Sequence, residues 1–600
     1  MRVAVVPGPG QSGLLRELSD DGIPTGPAVA VADLVAAVRE HERDGQPRWV
    51  WPSAALVYQR LLRSGVTVAR CHDVALADEL IRSRDAAVGP GMARARQEPP
   101  GGEEAGTAEA GTAEAGLAAA GTAEAGLAAA GLDQARAVLR HAQADGRQQA
   151  EQPALFAAEE VGAAERADPR QVLDAVVDVH ADQLRAIAAD EHPDRVGLLA
   201  TAESAGGLVA AEMETAGLPW RRDVHDALLT EMLGPRPMPG QRPARLAGLA
   251  AQVAAAFGRP VNPDSPAQLL QALAAEGIRL PSTRLAVLRD VDHPAIVPLL
   301  EYKELTRLYS AFGWSWLDTW VRKGRFRPEY VVGGVVSGRW ASRGGGALQI
   351  PKMLRRAVVA DPGWVLVVAD AAQLEPRVLA ALAADRAFAA AAMGGDLYAE
   401  LATAFGGDRA KAKVAMLSAM YGGAGGEAGQ LLAVLRQRFP AAAGYVEAAA
   451  RAGEEGRVVR SVLGRPCPPP SANWRALTEE AIDPDAERDP RAGQAARARG
   501  RFTRNFVVQA SAADWALVML VSLRAELAAI ERGRLTGDGA PELVFFQHDE
   551  VIVHCPQDRA DDAVTAVGRA GAVASRLVFG PTRVAFPLST AVVDCYADAK

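Results

Sequence analysis

Near its carboxyl end the chain reads Phe545-Phe546-Gln547-His548-Asp549-Glu550-Val551-Ile552-Val553, two short apolar runs with two adjacent acids between them. This pattern predicts a β-hairpin with the acids at its turn. Another acid, Asp370, closes the apolar run Trp364–Ala369. Two strand-end aspartates that meet in space can hold two divalent metals about 4 Å apart, an arrangement that catalyses in-line displacement at phosphorus. The two segments therefore predict a site for phosphoryl chemistry.

Composition narrows the class of protein. The chain has 600 residues, of which 49% are hydrophobic, so several domains with buried cores are expected. Its four cysteines are scattered without a C-x-x-C, which predicts neither disulfides nor structural zinc and fits a reducing cytoplasm. No apolar run approaches the roughly 20 residues of a membrane span, so no membrane association is expected. A net charge of -8 argues against a uniformly basic DNA-coating protein.

A repeat divides the chain. Between residues 105 and 132 a glycine recurs at every fifth position. Glycine inside a helix costs about 1 kcal/mol per residue, so we expect a mobile linker. The preceding residues alternate apolar runs, including Val66–Ala69, with helix-like stretches, which predicts a small α/β domain. Residues 168–320 read mainly as helices, and the rest mixes strands and helices.

Asp370 is followed by a stretch with helical spacing of apolar residues. Pro376 is tolerated only in a first helical turn, because its missing N–H is not needed there, so the helix should begin close to Glu375. Asp370 thus lies between a strand and a helix. Taken alone, it could equally be a helix cap.

A second motif consists of Arg409, Lys413, Leu417 and Tyr421, which recur every fourth residue before two glycines. At 1.5 Å rise per residue they lie about 6 Å apart on one helix face. Two cations at that spacing can hold successive phosphates while the tyrosine meets a base or sugar. The alternative is an exposed basic stripe with a tyrosine packed at the helix end.

Arg501, Asn505 and Gln509 have the same four-residue spacing and precede a run of small residues. Donors at that pitch could reach the acceptors that every base pair presents in the minor groove. A polar helix surface is the alternative interpretation.

Taken in this order, the segments resemble bacterial family A DNA polymerases, the DNA polymerase I class. Asp370–Arg377 is similar to motif A (D-Y-S-Q-I-E-L-R), Arg409–Gly422 to motif B (R-x-x-x-K-x-x-x-F-x-x-x-Y-G), and His548–Glu550 to motif C (H-D-E). Ser337–Ser342 resembles T-G-R-L-S-S, and Leu348–Pro351 resembles L-Q-N-I-P. Upstream, Asn262–Leu269 resembles the N-x-x-S-P-x-Q-L of the thumb and Leu300–Lys303 the L-E-Y-R that enters the palm. The resemblance covers residues 168–600.

The resemblance implies an α+β fold: a right-hand polymerase with thumb, antiparallel palm sheet and helical fingers, plus a small N-terminal α/β exonuclease-like domain. The implied domains are a degenerate exonuclease-like domain (1–95), the repeat linker with a flanking helix (96–165), thumb and connecting helices (166–300), palm (301–385), fingers (386–470) and palm (471–600). The implied partners are primer-template DNA and dNTPs, for a monomeric, cytoplasmic DNA polymerase of replication or repair.

For the metal site, the resemblance implies that Asp370 and Asp549 bind two Mg²⁺ ions and that the Ala371 carbonyl completes a metal shell. Glu550 is expected to support the metal-binding residues without binding the metal itself.

For the nucleotide site, the resemblance implies that Arg409 and Lys413 hold the triphosphate and that Lys413 protonates the leaving group. Glu375 should lie against C2' of the sugar and reject a ribose hydroxyl. The other nucleotide-site residues that it implies are Gln373, Tyr398, Leu417 and Tyr421. The DNA-contacting residues that it implies are Arg339, Gln349, Arg501, Asn505, Gln509 and His548.

The chain departs from the family pattern at several positions. Leu417 replaces an aromatic residue, Tyr398 stands where a phosphate-binding histidine is usual, and residues 402–409 are shorter than in typical members, which suggests a slower or specialised enzyme. The exonuclease domain needs a D-x-E after its first strand, and none occurs before Asp190. We therefore expect a relic domain without proofreading.

Two alternatives remain open. A single-subunit RNA polymerase has related motifs, but Glu375 argues against it because such enzymes carry a small residue there. A non-catalytic DNA-binding protein built on a decayed polymerase would explain Leu417, Tyr398 and the missing exonuclease acids.

Overall fold

The structure is a computed structural model that describes residues 1–95, 131–143, 168–393, 396–403, 406–422, 433–434, 436–479, 490–532 and 539–599. The glycine repeat, for which we expect a mobile linker, lies almost wholly outside these residues. All four cysteines are free, as predicted.

The N-terminal domain is a five-stranded sheet in the order β3-β2-β1-β4-β5. Its strands are β1 (Arg2–Pro7), β2 (Gly13–Leu18), β3 (Val29–Val31), β4 (Arg48–Trp51) and β5 (Arg70–Asp73). β1, β4 and β5 are parallel, whereas β2 and β3 are antiparallel to their neighbours. The apolar run Val66–Ala69 precedes β5 rather than forming a strand, because pairing with β4 begins only at Arg70, opposite Arg48.

Helices cover both faces of this sheet. The helices of this part of the chain are α1 (Leu34–Asp44), α2 (Ala54–Arg63), α3 (Val74–Ala95), α4 (131–143) and α5 (Pro169–Ala188). α2 packs on one face with Val3 and Trp49, while α4 and α5 pack on the other with Ala4 and Val50. Thus α5, which lies within the range predicted for the thumb and connecting helices, packs against the N-terminal sheet.

The middle of the chain is mainly helical, as expected. Its helices are α6 (Pro193–Ala216), α7 (Arg222–Leu233), α8 (Ala244–Ala256), α9 (Pro266–Ala275), α10 (Leu285–Leu288), α11 (Ile296–Phe312) and α12 (Trp314–Trp320). The predicted boundary at 300/301 falls inside α11, so the backbone has no break there. Short strands form two small sheets. One joins β6 (Leu218–Pro219), which lies between α6 and α7, to β7 (Val321–Arg322) and β8 (Arg325–Phe326), and the other pairs β9 (Glu329–Val331) with β10 (Ala341–Arg343).

The expected palm sheet is present and antiparallel, in the order β12-β13-β11-β14. Its strands are β11 (Trp364–Ala371), β12 (Glu542–Gln547), β13 (Glu550–Pro556) and β14 (Leu588–Val593). Side chains of a strand alternate between its faces, so Val367 and Ala369 enter one core cluster while Leu366 and Val368 enter another. With both faces buried, the register of β11 is fixed, and so is the position of Asp370 at its end.

The remaining helices surround this sheet. They are α13 (Leu374–Leu382), α14 (Arg386–Met393), α15 (Leu397–Ala402), α16 (Arg409–Tyr421), α17 (Pro440–Glu454), α18 (Ala472–Glu479), α19 (Pro490–Arg532) and α20 (Ala560–Phe579). By length and composition α19 could cross a membrane, but 83% of its apolar window is buried in protein, as in a core helix. The α+β architecture agrees with the prediction.

Candidate active site

The two predicted metal-binding aspartates lie on adjacent backbone segments. Asp370 is opposite Glu550 in the antiparallel pairing of β11 with β13, and the Ala371 N–H donates to the Asp549 carbonyl at 3.0 Å. Asp549 belongs to the tight turn between β12 and β13, where His548 takes a left-handed conformation with φ of 59°. Directly opposed residues of such strands have Cα atoms about 4.5 to 5.5 Å apart. The structure therefore brings the strand end and the hairpin turn together.

Glu550 is buried behind these two acids. Its side chain is 4% exposed, and its Oε1 accepts a hydrogen bond from the hydroxyl of Tyr596, which is 1% exposed. Burial and the Glu550 carboxylate raise the pKa of the Tyr596 phenol, so it remains a donor at neutral pH. The Arg355 guanidinium lies 4.4 Å from the centre of the Tyr596 ring. Glu550 thus has a buried protein partner, and its supporting role at the metal site stays a prediction.

The donor set at this place fits a magnesium ion better than a protein-enclosed metal. In the described ranges, no three His, Cys, Asp or Glu side chains form a metal-binding group. The candidate ligands are two carboxylates, Asp370 and Asp549, with the backbone of Ala371. Mg²⁺ usually keeps several waters and binds through one or two carboxylates plus substrate phosphates. Two half-buried acids, one at the end of β11 and one in the β12–β13 turn, match that requirement.

The predicted clamp helix is α16. Asp408 caps it by accepting from the N–H groups of Ala410 and Lys411, and Gly422 ends it with φ of 77°. Arg409 and Lys413 are exposed, whereas Ala412, Met416 and Met420 are buried on the other side. The open face of the helix therefore includes Arg409 and Lys413 together with exposed Ala410, Lys411 and Val414, while Leu417 and Tyr421 are half-buried.

Asp396 connects three of the predicted nucleotide-site residues. It caps α15 through the N–H groups of Tyr398 and Ala399, accepts from Gln373 Nε2 at 2.6 Å, and accepts from Arg409 Nε at 2.5 Å. Gln373 also accepts from the Leu397 N–H at 2.9 Å. Burial alone would raise the pKa of Asp396, but these hydrogen bonds outweigh it and leave the pKa lowered. Gln373 therefore fixes the loop that places Arg409.

Tyr398 lies under the same arginine. Its ring is 6% exposed, and the Arg409 guanidinium lies 5.7 Å from the ring centre. Burial first, and then the nearby Glu375 charge, raise the pKa of the Tyr398 phenol to about 12, with a contribution from Asp549. Tyr398 therefore stays protonated, within electrostatic reach of Asp549.

The predicted sugar gate has two partners. Arg339 donates to Glu375 Oε1, and the Tyr421 hydroxyl donates to Glu375 Oε2. Burial and this carboxylate raise the pKa of Tyr421 to about 12, whereas a hydrogen bond with Gln509 acts in the opposite direction. The helix α13 that carries Glu375 begins at Leu374, close to the predicted position, with Gln373 as its N-cap at φ of 56°.

The three polar residues of α19 share one face that leads to the gate. Arg501 is exposed, and Asn505 and Gln509 are half-buried. Phe506 and Val508, which lie between them in the sequence, are buried. A Cβ on Gly422 would lie 3.0 Å from Arg501 Cγ, so this row meets the end of α16.

The other predicted DNA-contacting residues lie nearby on the sheet side. His548 is exposed at the hairpin turn, and partial burial followed by the Arg339 charge lowers its pKa. Gln349 is exposed at the end of a short 3₁₀ turn (Ala347–Gln349). Arg339 contacts Glu375, and its side chain is still 41% exposed. The contacts of all these residues with DNA stay predictions.

Two residues of the site, Asp396 and Tyr596, have no role among the predictions made from the sequence. Asp396 has a local signature, an acid directly before a helix, but nothing local indicates Gln373 and Arg409 as its partners. Tyr596 has no signal, since its partner lies 46 positions away.

Comparison with known proteins agrees with this geometry. DNA polymerase I from Chloroflexus aurantiacus is 28% identical over 336 residues, 51% of this chain and 33% of that protein. The thermostable DNA polymerase I from Thermus aquaticus is 28% identical over 388 residues, 58% of this chain and 43% of that protein. The chain thus spans less than half the length of either relative.

A solved structure has the same fold: the POL domain of Pol1 from M. smegmatis in complex with DNA primer-template and dNTP. It has a TM-score of 0.66 and 20% identity, with 100% of this chain and 95% of that chain covered. The family model "DNA polymerase family A" matches residues 238–579, more than half of the chain. The chain therefore belongs to DNA polymerase family A.

Proposed function

We propose that this chain is a template-directed DNA polymerase that adds dNTPs to a primer 3'-hydroxyl by a two-metal mechanism and lacks proofreading. The observation that carries the proposal is the placement of Asp370 at a strand end against the turn that holds Asp549, with the Ala371 N–H bonded to the Asp549 carbonyl.

Asp370 and Asp549, with the carbonyl of Ala371, are the residues that would hold two Mg²⁺ ions. Such a pair, when bound, lowers the pKa of the primer 3'-hydroxyl and stabilises the leaving pyrophosphate. The chain contributes position and charge: the sheet register fixes Asp370, and the buried bond from Tyr596 holds Glu550 behind it. Preorganised charge of this kind needs no rearrangement during the reaction.

The open face of α16 fits the triphosphate. Arg409 and Lys413 are exposed at a spacing that suits successive phosphates, and Asp396 holds Arg409 in place. Lys413 is the group proposed to give a proton to the leaving pyrophosphate. Glu375, held by Arg339 and Tyr421, is proposed to exclude a ribose 2'-hydroxyl.

Two features support the absence of proofreading. Residues 6–12, at and after the carboxyl end of β1, contain no acid, so the position where an exonuclease needs metal-binding carboxylates has none. The nearby Asp73 is 2% exposed and accepts from the N–H groups of Ala54 and Leu76, so it caps helices.

The test is primer extension with Mg²⁺ on a primed template, with dNTPs and rNTPs in separate reactions, beside a 3'-exonuclease assay on the same DNA. We expect extension with dNTPs and no excision. Preference for rNTPs would instead identify an RNA polymerase. Binding of DNA without extension, even with Mn²⁺, would identify a non-catalytic DNA-binding protein, and excision of the primer end would contradict the predicted loss of proofreading.

A further inference from the structure

A buried ion triad lies next to the turn that leads to Arg339, the partner of Glu375. Arg465 is 8% exposed and donates through Nη2 to Glu203 Oε1 at 2.5 Å and through Nε to Asp514 Oδ1 at 3.3 Å. Glu203 on α6 is 3% exposed, and Asp514 on α19 is 0% exposed. The triad therefore ties two core helices to the loop 461–465.

The loop itself is held at several points. Asp514 Oδ2 accepts from the Leu463 N–H at 3.4 Å, and Ser461 Oγ accepts from the Arg465 N–H at 2.9 Å. From the N-terminal domain, Arg84 donates to the carbonyl of Gly464. The backbone around Arg465 thus has little freedom to move.

The guanidinium of Arg465 lies against the turn that carries Arg339. Gly338 has φ of 81°, and a Cβ there would be 2.3 Å from Arg465 Nε and 2.5 Å from its Cζ. At the start of the same segment, a Cβ on Gly333 would be 3.5 Å from Glu203 Oε2. The triad therefore contacts both ends of the segment 333–338, and Arg339, which binds Glu375, follows directly.

Stability alone does not account for this triad. Two carboxyl groups and one guanidinium are removed from water in the core, and well-packed apolar residues often stabilise as well as a buried ion cluster does. What apolar residues cannot supply is a rigid planar fork with fixed donors against a glycine backbone.

We propose that Arg465 is a positioning residue: held by Glu203 and Asp514, it fixes the turn at Gly338 and thereby places Arg339 on the Glu375 gate. The proposal rests on the proposed function for its kinetic consequence. Its structural part, the placement of the turn, does not require activity.

Two variants test it. Arg465→Lys keeps the charge but loses the planar fork, and Gly338→Ala forces the turn away from Arg465 without altering the triad's composition. The matched control is Arg524→Lys, because Arg524 also joins α19 to α6, through two hydrogen bonds to Glu212 of 2.7 and 2.8 Å, but does not contact the turn.

The kinetic measurement is the ratio of kcat/KM for dNTP over rNTP on a primed template. Both Arg465→Lys and Gly338→Ala should weaken the hydrogen bond from Arg339 to the Glu375 carboxylate. The loss of such a bond should lower this ratio by about tenfold. In the double variant this ratio should be no lower than in the single variant with the larger effect, because both changes act on one turn. Arg524→Lys should keep the wild-type ratio even if it lowers stability.

The second measurement does not depend on activity. Trp340 follows Arg339, is 6% exposed and packs edge-on against Phe546 with ring centres 5.5 Å apart. In protein labelled with 5-fluorotryptophan, its ¹⁹F resonance, assigned with Trp340→Phe, should shift in both test variants but not in Arg524→Lys. A wild-type protein that does not extend primers would refute the proposed function and leave this test intact.

A wild-type ratio together with an unshifted Trp340 resonance in Gly338→Ala would overturn the positioning role. The same result in Arg465→Lys would also overturn it. If Arg465→Lys does not fold, Gly338→Ala decides the question alone.

Discussion

Replacing Tyr596 with phenylalanine should weaken both the fold and the metal site. The phenol is 1% exposed and donates to Glu550, which is 4% exposed, so the bond is made in a nearly dry environment. Phenylalanine has almost the same volume and opens no cavity. The change therefore removes one hydrogen bond from a buried carboxylate and little else.

A hydrogen bond to a charged group contributes about 1.5 to 3 kcal/mol to stability. We expect Tyr596→Phe to lower the free energy of unfolding by that amount, measured by urea denaturation at pH 7. In a double-mutant cycle with Glu550→Gln, the coupling energy should be of the same size, about 1.5 to 3 kcal/mol, because the two side chains are in direct contact.

The functional effect should appear in the Mg²⁺ dependence of primer extension. Glu550 lies opposite Asp370 in the sheet, so a shift of its carboxylate disturbs the acid that would hold the metal. Loss of an outer partner of a metal site typically costs about 10- to 100-fold in affinity or activity. We expect half-maximal extension of Tyr596→Phe to need about tenfold more Mg²⁺.

Tyr445→Phe is the matched control. Tyr445 is half-buried on α17, and its hydroxyl makes no hydrogen bond within the described part of the chain. Its replacement should leave stability within about 0.5 kcal/mol of the wild type and the Mg²⁺ dependence unchanged. If Tyr596→Phe behaved like this control, the reasoning about Glu550 would be refuted.

Three other predictions concern the metal site, the gate and the N-terminal domain. Asp370→Asn or Asp549→Asn should abolish primer extension yet leave primer-template affinity nearly intact in a binding assay, because DNA is held mainly by cationic contacts. Glu375→Ala should raise rNTP incorporation relative to dNTP, by about tenfold or more, since the proposed steric barrier is removed. Burial lowers the pKa of His72 to about 4 and that of His180 to about 2. An unfolded histidine takes up a proton below about pH 6.5, so the free energy of unfolding should fall between about pH 6.5 and 4, by up to about 1.4 kcal/mol per pH unit for each histidine. His180→Phe should flatten this dependence in urea titrations at pH 7 and 5.

Each of these has a control in the chain. Asp558→Asn, at an exposed position beyond β13, should extend primers like the wild type, and Glu329→Ala, at an exposed ion pair with Arg343, should keep the wild-type preference for dNTPs. His192→Phe, at an exposed position, should retain the full pH dependence. An active Asp549→Asn variant would contradict the proposed metal site. Unchanged rNTP incorporation by Glu375→Ala, or an unchanged slope in His180→Phe, would contradict the gate and the buried histidines respectively.

The sequence by itself determined the elements of the active site. The apolar runs around Asp549 predicted the hairpin, the run before Asp370 predicted its strand, and the four-residue spacing from Arg409 predicted the open helix face. These features are local: strand alternation and helical periodicity act over a few residues, and the chemistry sits at the ends of the elements that they define.

The tertiary structure alone decided which side chains act on one another. Asp396 holds Gln373 and Arg409, Tyr596 reaches back to Glu550, and Arg465 lies against Gly338. Likewise, only the fold showed that α5 covers the N-terminal sheet. The side-chain contacts named here join residues 13 to 127 positions apart. Their partners are selected by packing and by the need to pair buried polar groups, which no local pattern of one sequence records.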